Sequence, residues 1–351
     1  MADAPAPPRR NRRGSGAVTL HDVARLAGVA PITASRALNT PQQVSEDVRR
    51  RVDDAVAKTG YVPNRMAGAL ASSRSRLVAA VVPTISGPVF GPTIEALSET
   101  LAAAGYQLML GQTGYESGAS GEGQGQREDA LLDAIVGRRP DGVVLTGILH
   151  SARGRQRLLA AALPVVETWD LTETPIDMLV GFSHAEVGRA VADFLLAGGR
   201  RRLAVIAGAD ERAARRTAAF VAAARAGPQD EVPVFCVPAP TTLRSGREGL
   251  AHLLQRRGGV DAVFCSSDLL ALGVLTEARA RGLAVPQDVA VVGFGDLGFA
   301  ADTLPALTTV RINGAAIGEQ AARFIVDRIE GRPVGPRVVD IGFSIARRDS
   351  A

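Results

Sequence analysis

Near the start of the chain, apolar residues recur at intervals of three and four, in three short runs separated by turn residues. In the first run Leu20, Val23, Ala24 and Ala27 follow Thr19, whose hydroxyl suits a helix N-cap. They precede Gly28, which tolerates the left-handed turn that ends a helix. Pro31 fits the first position of a second helix, where a backbone N–H would have no helical partner. Ala34 and Leu38 then face the first helix and leave Ile32, Thr33, Ser35 and Arg36 on the outer side. The third run predicts a helix from the cap Ser45, with Glu46 and Asp47 in its first turn, through Val48, Val52 and Val56 to Gly60. Helix, tight turn and helix backed by a third helix form a small all-α unit whose second helix can enter a major groove.

From residue 77 the rhythm changes to short apolar strands alternating with amphipathic helices. Strands are expected at 77–82, 106–111, 142–146 and 165–168, with helices starting near Phe90, Gln126 and Gly154. A second series follows at 178–181, 202–207, 234–237, 262–266 and 289–293, with helices at 185–197 and 269–281 among the connections. The fold class is therefore α/β: a helix-turn-helix headpiece on a body of two subdomains with parallel sheets. A ligand is expected in the cleft between the halves, at the carboxyl ends of the strands.

Composition sharpens this division. Residues 1–76 hold 13 Lys+Arg against 6 Asp+Glu, whereas the remainder holds 27 against 30. A basic head on a mildly acidic body suits a polyanion gripped at one end, with salt-dependent affinity. Residues 1–17 are charged and lack a following apolar region, so they read as a disordered basic arm and not as an export signal. No apolar run reaches membrane-spanning length. Cys236 and Cys265 lack metal-ligand spacing and are expected to be small buried hydrophobes, consistent with a cytoplasmic protein without a metal or other cofactor.

Residues 18–73 as a whole resemble the DNA-binding headpiece of the lactose-repressor family of bacterial regulators, and the similarity continues to about residue 346. The resemblance implies that Pro31 and Ile32 occupy the main base-reading positions and that Arg36 reaches a base or phosphate. Thr19, His21, Thr33, Ser35 and Asn39 match positions that contact the DNA backbone or support such contacts. The stretch Tyr61-Val62-Pro63-Asn64-Arg65 leads into a hinge helix, with Asn64 among the DNA-binding positions and Leu70 where the family inserts a minor-groove wedge. Because the pair Pro31-Ile32 is apolar where some members carry Tyr-Gln-like pairs, their operators do not transfer to this chain.

In the body the resemblance rests on Asp141-Gly142-Val143-Val144, on 262–268 followed by Ala271-Leu272-Gly273, on 289–294 with Asp296, and on Leu307-Thr308-Thr309-Val310. It implies the architecture of periplasmic sugar-binding proteins. It also places Arg189 where it would bind ligand oxygens, with Ser86, Phe90, Glu167, Trp169, Asp170, Ser267, Asp268 and Asp296 around the same effector. Several of these also have plain structural readings. Asp268 can cap the following helix, Arg189 can pair with Glu186 or Asp193, and Trp169 can be simple packing. The segments 88–90, 105–110 with Tyr115, 164–170 and 180–182 are most similar to the gluconate-utilisation repressors of the family. Gly295 stands at the first position of a frequent Asp-Asp pair, which argues against an aldose. The Gly-rich run 118–126 reads as a mobile loop.

The expected organisation is an arm at 1–17, a headpiece at 18–62, a hinge helix and linker at 63–76, an effector-binding and dimerisation domain at 77–346, and a tail at 347–351. Within the body, the N-subdomain would hold 77–177 and 305–333, and the C-subdomain 178–304 and 334–346. The expected function is a homodimeric, non-enzymatic repressor that binds a pseudo-palindromic operator and is released by gluconate or a related sugar acid. A solute-binding protein or an α/β enzyme acting on a sugar acid are the alternatives. The first would not carry residues 18–73, and the second would need a Gly-rich phosphate fingerprint or a nucleophile elbow, neither of which the sequence shows.

Overall fold

The structure, a computed structural model, describes residues 18–62, 74–85, 87–115, 122–148, 150–226, 231–256 and 258–351, and only the backbone for 122–126. The basic arm, the hinge helix and the predicted DNA contacts Asn64 and Leu70 lie outside the described residues, as does Ser86. The chain divides into two units, 1–73 and 74–351.

The first unit contains α1 (Leu20–Ala27), α2 (Pro31–Asn39) and α3 (Glu46–Thr59). Thr19 and Asp22 form a reciprocal capping box at the start of α1, and Gly28 ends the helix at φ 65°. Ser45 caps α3 by accepting the Val48 N–H at 3.4 Å, and the Arg51 guanidinium donates to the Ala27 carbonyl at 3.3 Å. Val23, Ala24, Ala27, Ala34, Ala37, Val52 and Ala55 form the buried centre. Small side chains at this centre let three short helices approach closely, and Ala37 takes the interior position expected of Leu38, which is only half-buried.

The second unit is built on two six-stranded sheets among the described residues. In the first, β1 (Leu77–Val82), β2 (Gln107–Gln112), β3 (Gly142–Thr146), β4 (Val165–Thr168), β5 (Met178–Gly181) and β11 (Val338–Asp340) lie in the order β11-β5-β4-β3-β1-β2, all parallel. In the second, β6 (Leu203–Gly208), β7 (Val234–Val237), β8 (Ala262–Cys265), β9 (Ala290–Phe294), β10 (Thr308–Arg311) and β12 (Ser344–Ala346) lie in the order β12-β10-β9-β8-β6-β7, with β12 antiparallel. The intervening helices are α4 (Gly91–Ala103), α5 (Glu122–Val136), α6 (Ala152–Ala161), α7 (His184–Ala197), α8 (Glu211–Arg225), α9 (Leu243–Leu253), α10 (Asp268–Ala280) and α11 (Gly314–Ile329). The central strands are buried along their length, as parallel strands covered on both faces must be.

Three sequence expectations about the subdomains change. Strand β5 pairs with β4 and belongs to the N-lobe, so the first crossing lies at Phe182–Ser183. Strand β10 pairs with β9 and stays in the C-lobe, which moves the second crossing to Ile312–Asn313. Strand β11 pairs with β5 in the N-lobe, and β12 then returns to the C-lobe. Each exchange depends on which distant strand supplies a partner, which local apolar pattern does not encode. The expected tail is structural as well: Ser350 is buried and its hydroxyl accepts the Thr308 N–H at 2.8 Å. Residues 122–126, expected in a loop, form the first turns of α5. Arg74–Arg76 belong to the body, where the Asp141 carboxylate accepts the N–H groups of Ser75 and Arg76, each at 2.9 Å. Cys265 is buried but Cys236 is exposed, and both are free.

Candidate functional site

On the headpiece, Pro31, Ile32 and Arg36 lie on the exposed side of α2, and Ile32 is 61% exposed. An isoleucine left this open on a structured helix is positioned to meet something other than its own core. Thr33 and Ser35 are half-buried at the flanks, and the Asn39 amide donates to the Ser35 carbonyl at 3.0 Å. Thr19 and His21 are exposed at the start of α1.

In the body a cavity of about 300 Å³ lies between the lobes, lined by residues that follow the carboxyl ends of strands in both sheets. Its N-lobe wall is aromatic. Phe90 meets Trp169 edge-on at 5.0 Å, and the Trp169 indole N–H donates to the Thr93 hydroxyl at 3.0 Å. Trp169 adopts φ 63°, an unusual angle for a bulky residue, which turns its ring off the strand. The C-lobe wall is polar, with Arg212, Arg216, Thr241, Ser266 and Ser267. Arg212 lies over the Phe90 ring at 5.4 Å and Arg216 over Phe294 at 3.9 Å.

Arg216 is 4% exposed, and burial lowers its pKa to about 10, with Asp210 opposing and Arg212 adding to the shift. It remains a cation at neutral pH, donates to the Ser266 carbonyl at 3.2 Å, and keeps a buried Nε without a partner. Burial also raises the Tyr115 pKa, so this cavity residue is a neutral phenol. Among the described lining residues two guanidinium groups thus face one carboxylate, Asp210.

Of the residues expected around the effector, the structure brings Phe90, Trp169 and Ser267 to the cavity. Arg189 is not there. Its side chain is 53% exposed on α7 and pairs with Glu186 at 2.5 Å. The buried stripe of that helix runs through His184, Val187, Gly188, Val191, Ala192 and Leu195, and position 189 falls off it. Asp268 is fully buried, accepting the Thr309 hydroxyl at 2.5 Å and the Leu297 N–H at 2.7 Å. Burial pushes it up to about 6 despite those donors. Asp296 is held by Arg311 and Arg348 at 2.5 and 2.6 Å, whose hydrogen bonds outweigh burial and lower its pKa. Glu167 is fully buried and accepts the Ile176 N–H at 2.6 Å.

Asp170 lines a smaller adjoining cavity of about 60 Å³. There it pairs across the cleft with Arg215 at 2.8 Å, an ion pair 4% and 33% exposed at its two side chains. Gly181 makes its position possible, because a Cβ there would stand 1.8 Å from the Asp170 carbonyl oxygen.

Arg212, Arg216, His184, Thr241 and Phe294 were not anticipated as cavity residues. One signal was available for Arg216: with Ala213, Phe220 and Ala224 it forms the buried stripe of α8, and a cation at such a position needs a partner.

The profile described as bacterial regulatory proteins, lacI family, matches residues 19–64, and that of a periplasmic binding protein-like domain matches 192–351. The HTH-type transcriptional regulator GntR of Pseudomonas aeruginosa is 38% identical over 97% of this chain and 98% of its own length. The chain belongs to the LacI family. A LacI-family transcriptional regulator from Silicibacter pomeroyi shares the fold with a TM-score of 0.87 at 30% identity, covering 95% of this chain and 99% of that one. The transcription regulator GntR from Chromobacterium violaceum matches with a TM-score of 0.72 at 34% identity, over 78% of this chain and 98% of that one. This LacI-family chain is a DNA-binding transcriptional regulator with a ligand-binding body, as its helix-turn-helix and its cleft require. No helix among the described residues is long and apolar enough to cross a membrane.

Proposed function

We propose that the protein is a homodimeric repressor of sugar-acid catabolism that leaves a pseudo-palindromic operator when a gluconate-type inducer binds in the cleft. The excess of guanidinium over carboxylate in the cavity carries this reading. With Asp210 3.9 Å from Arg212, one guanidinium charge is left that a neutral sugar does not compensate, whereas a carboxylate meets the planar fork of an arginine with two charge-assisted hydrogen bonds. Arg216, with Arg212 beside it, replaces Arg189 as the carboxylate partner. Phe90 and Trp169 supply the apolar face on which the C–H side of a polyol packs, and Thr241, Ser266 and Ser267 offer hydroxyls to its oxygens.

Titration calorimetry with D-gluconate and D-glucose, with and without operator DNA, tests the assignment. D-gluconate is expected to bind more tightly than D-glucose, and operator is expected to weaken it by the factor by which D-gluconate weakens operator binding. Tighter binding of the neutral sugar would overturn the sugar-acid reading.

On the DNA side, Pro31, Ile32 and Arg36 are proposed to read base edges, with Thr19, His21, Thr33, Ser35 and Asn39 toward the backbone. An Arg36→Ala variant is expected to lose discrimination between operator and random DNA by about tenfold or more while non-specific affinity falls less. Fluorescence anisotropy on both DNAs at one salt concentration measures this, and an equal loss on both would reassign Arg36 to phosphate.

A further inference from the structure

We infer that His184 is a positioning residue that joins Arg216 to the Trp169 platform, making one directional hydrogen-bond bridge from the C-lobe to the N-lobe. The inference rests on reading the cleft as the effector site. It goes further in assigning how a ligand on one lobe is felt by the other.

His184 is the first residue of α7, directly after the crossing at Phe182–Ser183, and is 2% exposed. Its Nε2 stands 2.9 Å from the Trp169 carbonyl oxygen, and its Nδ1 stands 3.0 Å from an Arg216 guanidinium nitrogen. A carbonyl only accepts and a guanidinium only donates, so the two neighbours select one species: neutral imidazole with its hydrogen on Nε2. Burial and the Arg216 charge hold the ring in that neutral form down to about pH 2.

The bridge continues at both ends. Arg216 also donates to the Ser266 carbonyl at the end of β8. On the other side the Trp169 indole donates to Thr93, which donates to the Gly314 carbonyl at 2.8 Å, just after the second crossing. From Arg216 every donor points toward the N-lobe, through His184 to the Trp169 carbonyl and from the Trp169 indole through Thr93 to Gly314, while a second Arg216 N–H points back to Ser266. The bridge also touches two of the segments about which the lobes must move. Gly188 holds it close: a Cβ there would stand 2.1 Å from the Arg216 carbonyl, so α7 and α8 meet backbone to backbone beside the imidazole. An effector that draws on Arg216 thereby shifts the acceptor at Nδ1, and the same rigid ring carries the shift to the Trp169 peptide.

Two amide substitutions separate the halves of the bridge. H184N keeps an acceptor near Nδ1 for Arg216 but withdraws the donor from the Trp169 carbonyl. H184Q carries a donor to the position of Nε2 and withdraws the acceptor from Arg216. Trp169 is the sole tryptophan, so emission of the full-length protein reports the platform alone.

H184Q is expected to keep the wild-type emission and lose about tenfold in D-gluconate affinity by calorimetry. H184N is expected to shift the emission, and its D-gluconate binding should no longer weaken operator affinity. Equal affinity losses with unchanged emission in both variants would overturn the bridge. If the wild type does not bind D-gluconate, the effector assignment fails while the emission difference between the variants still decides the bridge. Should either variant not fold, nitrogen-15 histidine spectra of the wild type decide it. One of the four histidines must be a non-titrating Nε2–H tautomer between pH 5 and 8, and its absence overturns the inference.

Discussion

Replacing Arg216 with methionine is expected to abolish D-gluconate binding in the cleft, with an affinity loss of at least about 100-fold, and to leave operator affinity unchanged. The guanidinium is buried against Phe294 with its Nε unpartnered, so the fold already carries the desolvation cost of a cation that a ligand anion would compensate. Methionine fills much of the same apolar volume and removes the charge and the fork together. Lysine retains the charge without the planar fork, and an intermediate loss is expected. The same protein should remain on its operator at D-gluconate concentrations that release the wild type. Calorimetry and operator anisotropy on the two variants check this. Wild-type affinity in the methionine variant would move the carboxylate to Arg212.

Stability is expected to fall steeply on the alkaline side of pH 6.5. His150 lies between two carboxylates, 2.6 Å from the half-buried Glu128 and 3.4 Å from the fully buried Glu167, with its side chain 4% exposed. Burial alone would lower its pKa, but the hydrogen bond to Glu128 and the nearby charges of Glu128 and Glu167 outweigh it and hold it at about 9, against 6.5 for a free histidine. Its stabilising contribution is therefore complete below pH 6.5, declines through the interval, and is lost as pH rises through 9. The loss is on the order of 3 kcal/mol. His184 acts with the opposite sign. Its folded pKa is about 2, so below pH 6.5 the unfolded chain takes up a proton that the folded protein refuses, and stability falls on acidification. Asp268, raised from 3.8 to about 6, offsets part of that acid slope. Urea unfolding between pH 5 and 9.5 should show a maximum near 6.5, and His150→Gln should flatten the alkaline limb. An alkaline slope equal to that of the wild type would falsify the role of this trio.

The chain's local patterns determined the headpiece almost completely. Caps, turn glycine, leading proline and apolar spacing are properties of neighbouring residues, and Thr19, Gly28, Pro31 and Ser45 act in the structure as that spacing predicts. The alternation of strands and helices was legible for the same reason, and so was a cleft at the strand carboxyl ends. Helical spacing also held unused information, since it sets Arg189 outside the buried stripe of α7 and Arg216 inside that of α8.

What only the tertiary structure decided were relations between distant residues. Whether β5, β10 and β11 joined one lobe or the other depended on which strand edge was open beside them. Asp268 could be read as a helix cap or a ligand contact and Asp296 as a ligand contact, until Thr309, Arg311 and Arg348 arrived from later in the chain and took their oxygens, with Ser267 as the cap. His184 had no visible role until α8 set Arg216 against one ring nitrogen and β4 set a carbonyl against the other. Short-range order follows from side chains a few positions apart, whereas the charge and protonation of a buried group are set by whatever the fold packs against it.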